Sequence, residues 1–305
     1  MSDGASFWRY WVADPLAAFP KLLSLRLLRL LPTNWCSLIG ARFGAVMAGR
    51  SEGFHVPTAE TRAVWLRLKP GTPEATADKA MERARRQTGR FLTEYAILDR
   101  LWTEGRVAVE GAEHVERIRA EGRRLIVATI HLANYELVGP VLMGLGHPPV
   151  GLYEPPANRF IHAAAVRIRE SYGGEVIPPS ASAARASLHV LKERKLPLVI
   201  FIDDLTNGRI QAPAFGRRLL PESNLVKTVK LAALADAEIV VGYALRTEAV
   251  RFRFIFTPPL PLHKTGNKAN DLALNVEMLN GAIETIIKDH LDQWYLLPAL
   301  RLDEP

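Results

Sequence analysis

The chain has 305 residues, 48% hydrophobic and 23% charged, which excludes a disordered chain and allows a large core with no metal or disulfide staple. A formal charge of +7 and a pI of about 9.6 call for an anionic partner: nucleic acid, an acidic protein or an anionic membrane. The one cysteine, Cys36, excludes an intramolecular disulfide and a four-cysteine zinc site.

The first ten residues carry Asp3 and only Arg9 as a basic group, without the pattern of a secretory signal. No uncharged apolar run is long enough for a conventional spanning helix. Phe7, Trp8, Tyr10 and Trp11 form an aromatic cluster. Pro20 and Pro32 bracket a Leu/Arg-rich stretch that predicts a helix of about three turns, roughly 17 Å. Lys21, Arg26 and Arg29 sit among its leucines. Asn34 is placed to cap a second apolar helix, Trp35 to Met47, interrupted only by Arg42. Residues 1–50 therefore read as an amphipathic interfacial hairpin, with leucines in the acyl boundary and arginines at lipid phosphates. A pair of core helices is the alternative. Cys36, in this apolar stretch, reads as packing and not as a nucleophile.

Thr72-Pro73-Glu74 predicts a cap and first turn for a third helix, running through Phe91 and Tyr95 to about Trp102 and ended by Gly105. Beyond Val107 short apolar strands alternate with amphipathic helices. Strands are expected at 125–129, 150–153, 198–202, 238–245 and 251–256. Helices are expected at 113–121, 134–145, 158–172, 181–194, 224–235 and 271–291. The pattern predicts one α/β domain over 51–305, with a mostly parallel central sheet flanked by helices.

The chemistry concentrates at Thr129-Ile130-His131-Leu132-Ala133-Asn134-Tyr135-Glu136. A buried strand runs into His131, and Asn134 reads as the cap of a helix with Glu136 in its first turn. A neutral histidine can take a proton from an alcohol, and a carboxylate on the other ring nitrogen fixes its tautomer. The helix start offers backbone N–H groups to an oxyanion. His-x4-Glu alone is a weak signal, equally explained by a satisfied histidine and a solvated glutamate. Its place at a strand end of an α/β sheet favours a site.

This block, continuing through Leu137 and Gly139, resembles the active-site motif of the lipid A late acyltransferases, lauroyl/myristoyl-type members of the lysophospholipid acyltransferase superfamily. Asn158, Arg159, Arg167 and Arg169 before Gly173 resemble the family's second block. Phe201-Ile202-Asp203-Asp204 followed by Phe215-Gly216 resembles its acidic block and Phe-Gly element. Gln293-Trp294-Tyr295 resembles its C-terminal signature, although Leu296 to Leu300 replace the aromatic, His and Arg residues that commonly follow. The resemblance implies a glycerol-3-phosphate acyltransferase-like fold, catalytic His131 and Glu136, and substrate contacts from Asn134, Arg169, Asp203, Asp204, Phe215 and Gly216. It implies an acyl-carrier protein or coenzyme A thioester as donor and a lipid hydroxyl, such as that of a lipid A precursor, as acceptor. It also implies a peripheral or monotopic place at the cytoplasmic face of a bacterial inner membrane.

Asp203 and Asp204 are candidates either to bind acceptor hydroxyls or to support His131. Arg169 suits a phosphate, and Arg209, Arg217 and Arg218 flank the Phe-Gly element. Gly49-Arg50-Ser51-Glu52-Gly53 fits G-x-S-x-G but lacks the preceding strand and following helix of a nucleophile elbow. No metal, cofactor or nucleic-acid motif is present, so none is expected. Two other functions stay open: a non-catalytic lipid- or carrier-binding protein, and a thioesterase or lipase-type hydrolase.

Overall fold

The computed structural model describes residues 7–46, 57–206 and 208–302. The boundary expected at 50/51 and the G-x-S-x-G segment lie outside the described residues.

Helical turns from Phe7 lead into α1, Asp14–Arg29, followed by α2, Thr33–Val46. Pro20 lies inside α1 and does not start it. Pro20 and Leu16 are both exposed, so the Leu16 carbonyl that loses its N–H partner sits on the outer side of the helix. Asn34 does not cap α2; its Oδ1 accepts from Arg106 at 2.8 Å. Next come α3, Ala59–Leu68, and α4, Glu74–Glu94. The α3 helix was not expected, although Thr58 and Thr61 form a reciprocal cap at its start. Pro73 takes the cap position of α4, and the Thr72 hydroxyl turns back to the Lys69 carbonyl at 2.8 Å. A 3-10 turn then leads to α5, Leu98–Thr103.

One face of α2 packs on α4. Gly40 and Gly44 meet Gly89 so closely that a Cβ on any of them would strike the opposing backbone. Cys36 is fully buried there, with its Sγ toward the Thr93 carbonyl, and burial first of all pushes its thiol up to about 11. This is the packing role expected of it. Large apolar side chains are exposed on both N-terminal helices: Leu16, Phe19, Leu23, Leu27 and Leu30 on and just after α1, and Trp35, Leu38, Ile39 and Phe43 on α2.

The body follows as β1 Val107–Glu110, α6 Ala112–Ala120, β2 Arg124–Thr129, α7 Val138–Gly144, β3 Val150–Leu152, α8 Arg159–Ser171 and β4 Glu175–Ile177. It continues as α9 Ala183–His189, β5 Leu198–Phe201, a small hairpin of β6 Leu205–Thr206 and β7 Arg209–Ile210, and α10 Asn224–Ala235. It closes with β8 Ala237–Glu248, β9 Arg251–Phe256 and α11 Lys268–Asp289. Seven strands form one sheet in the order β1-β9-β8-β2-β5-β3-β4, parallel except for the β8–β9 pair. This is the mostly parallel α/β sheet expected, with two short strands, β1 and β4, added at its edges. Ile126 to Ala128 are completely buried because helices cover both faces, so two apolar cores flank the sheet.

Candidate active site

In the register of β2 and β5, Thr129 pairs with Phe201. His131 and Asp203 each follow two residues later, so both leave the sheet at the same level. Their side chains meet: His131 Nδ1 lies 2.8 Å from Asp203 Oδ1. Asp203 is completely buried, and its Oδ2 accepts from the His131 backbone N–H and from Trp294 Nε1, each at 2.8 Å. A carboxylate can only accept, so the neutral imidazole carries its proton on Nδ1 and keeps the Nε2 lone pair free.

The expected pairing of Glu136 with His131 is not what the geometry gives. Glu136 is buried and its Oε1 accepts from Arg169 Nη2 at 2.6 Å, while Asp203 occupies the imidazole. The cause is the sheet: β5 is fixed beside β2, whereas Glu136 lies on a 3-10 turn, Tyr135–Leu137, that faces α8. Burial alone would depress the Arg169 guanidinium, but Glu136 together with Tyr95, Tyr172 and Tyr153 outweighs it and raises its pKa. Tyr95 and Tyr172 are pushed up first by burial and then by Glu136, which keeps their hydroxyls protonated.

Asn134 is also placed differently from expectation. It neither caps a helix nor reaches the groove; its Nδ2 donates to Glu94 Oε2 at 3.2 Å. Glu94 in turn forms a buried bidentate pair with Arg246, at 2.8 and 2.7 Å, and accepts from the Ser37 hydroxyl of α2 at 2.6 Å. The amides of 131, 132 and 133 are already bonded, to Asp203, Ile130 and Gln293. Those three amides are therefore not free donors for an oxyanion.

A groove of about 870 Å³ opens at His131. Glu136, Arg169, Tyr153, Tyr172 and Asp204 share its wall, and its interior is mainly apolar. The His131 ring is held edge-on by Tyr135 at 4.5 Å and tilted on Phe201 at 4.4 Å. Asp204 accepts the Asn224 amide at the start of α10, and burial raises its pKa. The serine and threonine hydroxyls of the groove are engaged away from His131: Ser180 with Ser182, Ser187 with the Ala183 carbonyl, Thr206 with Asp204. None is placed as a serine-type nucleophile.

Residues 9–300 match the bacterial lipid A biosynthesis acyltransferase family. The chain belongs to that family. A Haemophilus influenzae protein named lipid A biosynthesis acyltransferase is 24% identical over 214 residues, 68% of this chain and 63% of the relative. The chain thus spans less than two thirds of that relative's length.

Within this family member, the remaining motif residues take supporting positions. Phe215 and Gly216 lie behind the groove: the Phe215 ring meets Trp294 edge-on at 5.8 Å, and its amide donates to Glu284. Arg217 folds the loop by donating to the carbonyls of Ala214, Ile210 and Pro213, and Arg218 is exposed. Asn158 caps α8 and donates to the Asp14 carbonyl, while Arg159 lies 3.5 Å over the Tyr10 ring, so this block clamps α1 to the body. Arg167 is exposed.

The Gln293-Trp294-Tyr295 segment acts through direct contacts. The Gln293 carbonyl accepts the Ala133 amide, Trp294 holds Asp203, and the Tyr295 amide donates to the His131 carbonyl. It straps the His131 loop in place. Sequence reasoning assigned none of these contacts, and it missed Glu94 and Arg246 altogether. Arg246, at the end of the apolar run of β8, was the available signal; Glu94 follows Gln87 and Arg90 on the same face of α4 and gave none.

Proposed function

We propose that this protein transfers a fatty acyl chain from a thioester donor to a lipid hydroxyl, with His131 as general base. The observation that carries the reading is the buried Asp203 on His131 Nδ1, beside a mainly apolar groove whose serine and threonine hydroxyls are engaged elsewhere. Nε2 takes the acceptor's proton as its oxygen attacks the thioester carbonyl. The tetrahedral intermediate collapses, the C–S bond breaks, and the imidazolium returns its proton to the departing thiolate. Asp203 stabilises the imidazolium throughout. Glu136, fixed by Arg169, orients the acceptor by accepting from its polar groups. The family supports a lipid A precursor as that acceptor. An acidic carrier protein or coenzyme A as donor suits the net charge of +7.

The test is transfer of a radiolabelled acyl chain by purified protein, with and without acceptor. His131→Ala is expected to lower kcat by about 10²- to 10⁴-fold while the fold is retained. Near-normal turnover by that variant would remove His131 from the mechanism. Free fatty acid as the main product in the presence of acceptor would favour a hydrolase instead.

The exposed apolar side chains of α1 and α2 support attachment to a membrane surface. No helix among the described residues is long and apolar enough to cross a membrane. The leucines and Trp35 would enter the acyl boundary, with Lys21, Arg26 and Arg42 exposed to lipid phosphates. Arg29, also expected there, is instead held by Asp99 at 2.7 Å. Leu16→Asp combined with Phe19→Asp is expected to weaken sedimentation with anionic vesicles by about tenfold or more, since each apolar side chain contributes about 1.5–3 kcal/mol when buried. Unchanged vesicle binding would place the membrane contact elsewhere.

A further inference from the structure

Gly151 sits in the middle of β3, in register with Val199 of β5 on one side and Val176 of β4 on the other. Partners in a parallel register share a sheet face, so the three form a row across the sheet floor. All three line the groove, and so do Val138, Gly139 and Tyr172. The groove therefore continues as a slot between the sheet and the α7–α8 layer. Tyr153 follows Gly151 by two residues and lies at the His131 end, under the Arg169 guanidinium. Pro149 precedes Gly151 by two residues and lines the groove further in. Each such step is about 7 Å of extended chain. The polar end of the slot is thus at His131, Glu136 and Arg169, and the walls become apolar with depth.

Most packed glycines of this protein exist because another group fills their space. A Cβ on Gly139 would lie 2.5 Å from the Tyr172 ring, and one on Gly174 would lie 2.8 Å from it. Gly151 is different. A Cβ there would find a single neighbour, the Glu175 carbonyl oxygen at 4.0 Å. Gly151 has no left-handed backbone that would require glycine. Glycine also weakens a strand and packs nothing itself. The feature that needs a missing side chain at this position is the open slot.

We infer that this slot holds the donor's alkyl chain and that Gly151 sets how long a chain it accepts, an inference that rests on the acyl-transfer reading above. The thioester carbonyl has to lie at His131, and the slot is the apolar continuation of the groove from that point. A side chain at 151 would cross the slot about two strand residues below the reacting carbon.

The experiment measures kcat/KM of the purified full chain for a ladder of saturated acyl donors differing by two carbons, at fixed acceptor. Gly151→Val is expected to move the ratio of kcat/KM for short against long donors toward the short ones by about tenfold or more, as a few methylenes lose their place. Val138→Ala, which widens the opposite wall, is expected to move it toward the long ones. It keeps the test decisive should Gly151→Val unfold, which thermal melting would reveal. Ratios unchanged in both variants would overturn the inference. So would a preference that follows the acceptor's own chains when the donor is held constant. A wild-type protein that transfers no chain from any donor would instead overturn the acyl-transfer reading itself.

Discussion

Asp203→Asn is expected to lower kcat by about 10³- to 10⁴-fold, more than any substitution of Glu136. The wild-type carboxylate accepts three hydrogen bonds, from His131 Nδ1, the His131 amide and Trp294 Nε1. An asparagine presents two oxygen lone pairs and an NH2 group to those three donors. Whichever way it turns, at least one N–H faces another N–H. If the amide nitrogen faces Nδ1, the imidazole must move its proton to Nε2, where it can no longer accept one from an alcohol. Glu136→Gln leaves the imidazole untouched and keeps one acceptor for Arg169, so its loss should be smaller and fall mainly on KM for the acceptor. Steady-state kinetics of both variants decides this. A larger fall in kcat for Glu136→Gln than for Asp203→Asn would return the orienting role to Glu136. Thermal melting provides the control, because Asp203 also ties the C-terminal strap to the sheet through Trp294.

The sequence made the sheet readable because its central strands are short apolar runs bounded by turns, as in β2 and β5. The edge strands were harder. β1 alternates half-buried and exposed residues, and β4 has three residues, so neither shows a buried run. His131 was legible as a polar residue ending a buried strand. Its partner was legible only as one of two roles open to Asp203, because spacing along the chain pointed to Glu136 while the decisive contact is made across the sheet. Asp203 ends β5 at the same offset at which His131 ends β2, but that coincidence means something only once the two strands are known to be neighbours. Asn134 misled for a related reason. Its position before a turn suits a cap, yet a buried ion pair from two distant elements offers it a stronger acceptor. Trp294 read as part of a signature and turned out to hold a carboxylate through its indole N–H.

The other large effect is expected at Glu94. Its carboxylate is completely buried and accepts from Arg246, from Asn134 in the His131 loop and from Ser37 in α2. It therefore joins α2, the loop that carries His131 and the sheet. Removing one member of a buried ion pair leaves the other charge without compensation, at a cost of about 3–5 kcal/mol. Glu94→Ala should lower the stability of the folded chain by that amount in a urea titration. Each kcal/mol corresponds to roughly 2–4 °C for domains of about 150–250 residues, so the melting point should fall by roughly 6–20 °C. The reason is the stranded Arg246, which is 9% exposed and has only Gln87 and the Ala249 carbonyl left as acceptors. Glu94→Leu combined with Arg246→Met should then recover much of the loss, because it removes both charges and fills their volume. Transfer activity should separate from stability in that double variant. The loop would still lack the acceptor for Asn134, so kcat should stay depressed even where the melting point returns. A double variant restored in both respects would make Glu94 a packing element alone, and a Glu94→Ala protein as stable as the wild type would remove the ion pair from the account of this fold.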